Sequence, residues 1–396
     1  MVTKNLNPLN TQSSTQELLI PIFYKGYRAE NKYSNRGNYE AALNFQKIIN
    51  EAKETYPKII CRLYNIDETN DIIYLGKLAI QKRNIPFLIS CCQQDHLNSS
   101  LEMVRVQRPE LNIIYSNSHS NSGSRGTKYS KYPKYSNSYL YSKILGHEYF
   151  PSYYGEIYRT DDDHRRTLDI FQRMLGDDGP EGYEGLYKHE IEVNVGVYNR
   201  PDVVPDQICD YDELIHKMIK ENDIYNSWRP FYSKPKVNLK FVILGSSDVR
   251  FTFDTRYINY ITTDPKVFYK DIDLYLYPTI KNTDPIPNSQ VICALNRIPI
   301  ATNTVRGAKY SSKDELQFCT NEVTRLTPPI SFNKTKSKSY QSHLLPPIAL
   351  INEALRGMFI GYSQINISML DTNQDRAKQL LQETKDALLD HLKKLN

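Results

Sequence analysis

Residues 268–307 read FYKDIDLYLYPTIKNTDPIPNSQVICALNRIPIATNTVRG. The apolar run Ile272 to Tyr277 is cut off by Pro278. A polar turn, Lys281 to Asn288, carries Asp284. The spacing then predicts a short helix over Ser289 to Asn296 and a second apolar strand over Ile298 to Ala301, ending in a polar loop with Gly307. Strand, loop, helix, strand is the repeating unit of an open α/β sheet. Such sheets hold ligands outside the carboxyl ends of their strands, which sets the Asp284 loop and the Thr302–Gly307 loop on one rim.

The same alternation runs through the rest of the chain. Upstream, strands are expected at Leu18 to Tyr24, Lys58 to Tyr64 and Pro86 to Cys92. Helices are expected at Tyr39 to Thr55, where Ala41, Ala42, Phe45, Ile48, Ile49 and Ala52 recur at helical spacing, and at Ile72 to Gln81. Parallel pairing follows from strands that alternate with helices. Asp161 to Leu175 reads as a helix capped by Thr160, its three leading aspartates suited to the N-terminal dipole. Gly176 to Gly185, with four glycines and a proline, reads as an interdomain hinge. Beyond it come strands at Glu190 to Tyr198 and Leu239 to Leu244, β-like sequence at Thr252 to Tyr260, and helices at Asp210 to Glu221, Ile348 to Phe359 and Thr372 to Leu395.

The length of 396 residues suits two domains. The expected boundaries are a flexible polar tail at 1–16, an N-terminal domain at 17–185, a C-terminal domain at 186–370 and a terminal helix at 371–396. Net charge is +5 from 50 basic and 45 acidic residues, a balance that selects no partner by itself. The six cysteines show no CxxC spacing, so they read as free thiols in a reducing compartment. No run approaches the roughly 18 apolar residues needed to span a membrane, and the expected location is cytoplasmic. Phosphate-loop, nucleophile-elbow and HExxH motifs are absent from the sequence.

One segment departs from this pattern. Leu111 to His147 holds no acidic residue, and within it 116–143 interleaves lysines and Arg125 with tyrosines. Basic charge beside aromatic faces suits polyanion contact or base stacking. A mobile acceptor-side loop and an ordinary solvated insert share the same composition.

The opening stretch resembles the donor side of retaining glycosyltransferases of the GT-B fold, similar to glycosyltransferase family 4. Asp273 and Pro278-Thr279 match that family's "aD-apolar-PS" strand, and Asp284 falls on its first acid. Ala294-Leu295, Ile298 to Thr302 and Gly307 match its tail. Ile292 stands where the second acid belongs, and Arg297 replaces a usual glycine. Weaker similarities extend outward: Arg36-Gly37-Asn38 as a glycine-containing loop, Ile85 to Leu88 followed by Asp95-His96, Val195 to Arg200 as a "V-G-R" strand end, and Gly245-Ser246-Ser247 as an apolar-glycine loop.

The resemblance implies two Rossmann-like domains facing across a cleft, with a C-terminal helix crossing back. It implies a sugar moved from a nucleotide-sugar donor to an acceptor that is a glycan, a protein or a nucleic acid. Asp284 would bind sugar hydroxyls, His96 would face the acceptor or sit in a surface turn, and Arg200 would hold the diphosphate through its guanidinium fork. Gly37, Gly245, Ser246, Thr302 and Gly307 would complete the donor site. Basic groups and helix N-termini would hold the diphosphate, with no metal or other cofactor. Ile292 cannot accept a ribose hydrogen bond, a loss on the order of 1–3 kcal/mol. A catalytically degenerate binding or structural relative is the competing expectation, and nucleic-acid binding through 116–143 is a third.

Overall fold

A computed structural model describes residues 17–24, 36–66, 84–91, 112–115, 148–175, 190–198, 236–245, 254–277, 287–302 and 363–395, with short pieces between 135 and 146 and between 215 and 227. The predicted tail, the hinge at 176–185 and the helices at Ile72 to Gln81 and Ile348 to Phe359 lie outside the described residues.

The first sheet is built from β1 (Leu18–Tyr24), β2 (Ile59–Asn65), β3 (Phe87–Ser90) and β4 (Asn112–Tyr115), in the order β2-β1-β3-β4. Every pairing in it is parallel. Helix α1 (Arg36–Glu51) joins β1 to β2 and begins three residues earlier than its apolar spacing predicts. Its Ala42, Phe45 and Ile49 are buried against Ile20, Ile22 and Ile89 of the sheet. Strands β5 (Tyr135–Ser136) and β6 (Glu148–Tyr149) form a small parallel pair beside this core.

Helix α2 (Asp161–Leu175) takes its predicted bounds. It packs against β7 (Glu190–Tyr198), the central strand of the second sheet. The other members are β8 (Lys236–Leu244), β9 (Ile258–Thr262), β10 (Leu274–Tyr277) and β11 (Ile300–Thr302). Their order is β11-β10-β7-β8-β9, again all parallel. Helix α3 (Pro265–Asp271) leads into β10, and α4 (Asn288–Leu295) lies between β10 and β11. A three-residue 3-10 turn at Thr255–Tyr257 precedes β9, so the aromatic run at 252–260 becomes a strand only from Ile258.

The long helix α5 (Ser363–Lys393) spans 31 residues, about 46 Å at 1.5 Å per residue. Ala377 and Leu380 pack against Val291, Ala294 and Leu295 of α4. Leu388 and Leu392, three turns on, enter the first core beside α1. The helix therefore joins α4 to the core of the first sheet.

Close packing fixes one glycine in the middle of β7. A Cβ on Gly196 would lie 2.6 Å from Ile272 Cδ1 and 2.8 Å from Phe268 Cζ. Both side chains are fully buried, so neither can yield. Gly196→Ala is expected to destabilise the fold by about 2 kcal/mol through overpacking, read as a lower denaturant midpoint.

Candidate functional site

In the second sheet the chain runs outward from β7 through β8 to β9, then returns to β10 on the other side of β7. The strand order reverses between β7 and β10, and the carboxyl ends of strands flanking such a reversal form a crevice. Register aligns those ends: Tyr198 opposes Leu244, Leu244 opposes Thr262, and Tyr277 opposes Thr302. Gly245 follows directly, its amide donating to Thr262 O at 2.9 Å. Gly245 and Thr302, two of the predicted donor-side positions, thus share one rim.

The first sheet has the same reversal between β1 and β3. Gly37 sits in the first turn of α1, the helix that follows β1, rather than in a loop before it. Asp284, His96, Arg200, Ser246 and Gly307 lie outside the described residues, as does most of the basic 116–143 insert.

The first turns of α1 and α4 touch opposite ends of one residue, Tyr154. Tyr154 donates its backbone N–H to Asn288 Oδ1, in the first turn of α4, at 3.1 Å. Its hydroxyl lies 3.4 Å from where a Cβ on Gly37 would stand. Tyr154 packs partly against both cores. Helix N-termini present amide N–H groups and a positive dipole end, the ordinary arrangement for anions.

Tyr154 belongs to a segment, 150–159, that has no strand or helix of its own, and side chains hold its backbone. Asn44 Nδ2 of α1 donates to Tyr153 O at 3.2 Å, and Tyr153 N donates to Thr384 Oγ1 of α5 at 3.1 Å. Asn296, just past α4, is 2% exposed and uses its whole amide. Its Oδ1 accepts from Tyr158 N and Arg159 N at 2.6 and 3.0 Å. Its Nδ2 donates to Glu156 O and Ile292 O at 2.9 and 2.8 Å. Between these anchors Gly155 lets α4 approach: a Cβ there would lie 2.7 Å from Leu295 Cδ1 and 3.1 Å from Ile292 Cγ1. Sequence reasoning passed over this segment. Its only local signal is a glycine among aromatics.

Ile292 is buried in the second core, so the position of the family's second acid packs against chain rather than facing the rim. Asp273, matched to the family's strand acid, sits at the amino end of β10, opposite the rim. It is 1% exposed and accepts from Asn194 N and Thr167 Oγ1, both at 3.0 Å, with Arg166 Nη2 at 3.4 Å. Burial raises its pKa, against the pull of the Asn194 amide, Arg166 and Thr167. Arg159 donates to Thr167 Oγ1 at 2.5 Å and to Asp163 O at 2.6 Å. Burial brings its guanidinium down to about 10, opposed by Asp273, so it stays a cation at neutral pH. This network is structural: it ties α2 to the amino edge of the second sheet.

Among the described residues, no group of three His, Cys, Asp or Glu side chains is placed to hold a metal ion, and no helix is long and apolar enough to cross a membrane. Cys61, Cys91 and Cys293 are free thiols, and burial pushes the Cys293 thiol far up. What the fold and rim define is an α/β protein with two parallel, Rossmann-compatible sheets and a switch point in each. No family profile matches the chain, and no curated protein sequence matches it significantly.

Arg297 closes α4 in the left-handed region, at φ 51°. This is the position where the resembled family carries glycine. The strain of a side chain there, about 1–2 kcal/mol, is offset by ion pairs to Asp161 at 3.2 Å and Asp371 at 3.1 Å. The second contact is an ion pair by distance without hydrogen-bond geometry. Arg297→Ala keeps the strain and loses the pairs, whereas Arg297→Gly relieves the strain. Arg297→Gly is expected to be more stable than Arg297→Ala by about 1 kcal/mol in chemical denaturation. Asn296→Ala strands the Tyr158 and Arg159 amides and the Glu156 carbonyl, while Ile292 O keeps the backbone N–H of residue 296; a loss of about 3 kcal/mol is expected by the same measurement.

Proposed function

We propose that this chain is a GT-B-like glycosyltransferase that binds a nucleotide-sugar donor between two Rossmann-like domains. The observation that carries the reading is that Tyr154 links the first turns of α1 and α4, its hydroxyl beside Gly37 and its backbone N–H on Asn288 Oδ1. Those helices follow β1 and β10, the strands at the two switch points, so two anion-favouring ends approach from different sheets. The sequence adds the charged groups. Arg200 comes two residues after β7, and Asp284 lies between β10 and α4. In this reading Arg200 neutralises the diphosphate leaving group and Asp284 orients the sugar hydroxyls. Gly245, Ser246, Thr302 and Gly307 belong to the loops of the same rim, and His96 to the acceptor side. α5, packed on α4 and on α1, is the helix that crosses back.

One observation favours a second reading. Ile292 is committed to the core, so the acid that would hold the donor's ribose is replaced by packing. A catalytically degenerate binding or structural relative that lacks the nucleotide contact fits that replacement.

A thermal-shift panel of UDP-, GDP- and ADP-sugars tests both. One nucleotide class is expected to raise the melting temperature, by linkage of binding to folding. Arg200→Ala is expected to abolish the shift while leaving the unliganded melting temperature unchanged. A flat panel from a chain that still melts cooperatively overturns the first reading and supports the second.

A further inference from the structure

Helix α5 holds the two sheets through unlike contacts. Its first half meets α4 through Ala377 and Leu380, fully buried and aliphatic, with Gln374 Nε2 donating to Leu295 O at 2.8 Å. None of these groups titrates near neutrality. Its last turns meet the first sheet through Leu388 and Leu392 and through one imidazole. His391 sits among three rings: Phe87 of β3 at 5.9 Å, Tyr135 of β5 at 6.4 Å and Phe150 at 5.6 Å between centroids.

We infer that α5 is a strap with one acid-sensitive end: protonation of His391 loosens its last turns from the first sheet while its first half stays on α4. The inference is independent of the proposed function. Neutral imidazole fits a cage of rings, and a cation there must shed water into it. The charges that face it are few. Lys394, on the same helix, opposes the imidazolium, while Glu148 of β6 and Asp390 favour it. Tyr135 presents a phenol whose hydroxyl donates to Asn112 Oδ1 at 3.3 Å. On α1, Glu51 is tied to Lys385 at 3.0 Å. Burial is the largest influence and, with Lys394, leaves the His391 pKa below the ordinary imidazole value. The sign follows from linkage. With the folded pKa depressed, the contribution is whole above the unfolded value near 6.5 and is lost as pH falls through the folded one.

His164 is also held down by burial, with Arg297 and Arg159, and contributes a loss of the same sign. It lies in α2, so a local readout separates the two.

The test is hydrogen exchange of the full chain at pH 7.5 and pH 5.5, corrected for intrinsic rates and read on peptides from 384–393 and 370–381. Wild type is expected to lose protection in 384–393 alone at the lower pH. His391→Phe is expected to keep it at both. Equal protection of 384–393 at the two pH values in wild type overturns the inference, as does loss in His391→Phe matching wild type. His391→Leu serves if the phenylalanine does not fit the cage; the same loss in that variant also overturns it.

Discussion

An extended piece of chain at 150–159 must cross between two cores without a strand partner, and everything else is arranged around satisfying it. Each buried amide and carbonyl needs a hydrogen bond, and in such a segment only side chains can supply one. Asn44, Asn288, Asn296 and Thr384 do so from three helices. These bonds fix α4 to the segment at both of its ends. With α4 so held, the first turn that follows the β10 loop has one position relative to α1. Backbone satisfaction in this segment therefore helps to set where the α4 end of the rim lies.

The second sheet explains why a side-chain clasp was needed there. Its central strands are buried on both faces toward their carboxyl ends, at Val195–Val197 and Phe241–Leu244, as parallel strands covered by helices are, while β9 at the edge is only partly covered. β10 lies beside β7, and α4 returns from it along one face to β11. The outer surface of α4 is apolar, with every residue from Gln290 to Leu295 buried. It therefore needs cover from outside the sheet, which α5 and the 150–159 segment provide. Gly155 and Gly196 mark the places where this layering leaves no room for even a methyl group.

The regular elements were legible because period and punctuation agreed. β1, β7 and α2 end where proline, asparagine or glycine ends their pattern, and the strand-loop-helix-strand reading of 268–307 matches β10, α4 and β11 within two residues. Helix α3 was missed although its signal is complete: Asp264 accepts from Lys266 N at 2.9 Å as the cap, and Pro265 occupies the first turn. Its seven residues are too few for hydrophobic periodicity to register. The 150–159 segment was illegible for a different reason. Its conformation is set by asparagines more than a hundred positions away, and no local pattern encodes such bonds. Of the predicted site, Gly37, Gly245 and Thr302 fall on rim or helix-start positions.

Two of the departures from the resembled pattern have opposite physical meanings. At Arg297 the backbone still adopts the left-handed conformation that glycine favours, and two aspartates help an arginine hold it. The geometry of the turn is preserved while its residue has changed. At Ile292 the backbone is an ordinary helix, and the side chain has turned a polar position into packing against Gly155 and the second core. A carboxylate there would need to be buried without a partner, at a cost of several kcal/mol, so reverting it alone cannot restore a ribose contact. The change is one the fold has closed over: Gly155, which leaves space for Ile292 Cγ1 at 3.1 Å, accommodates the isoleucine rather than a ligand.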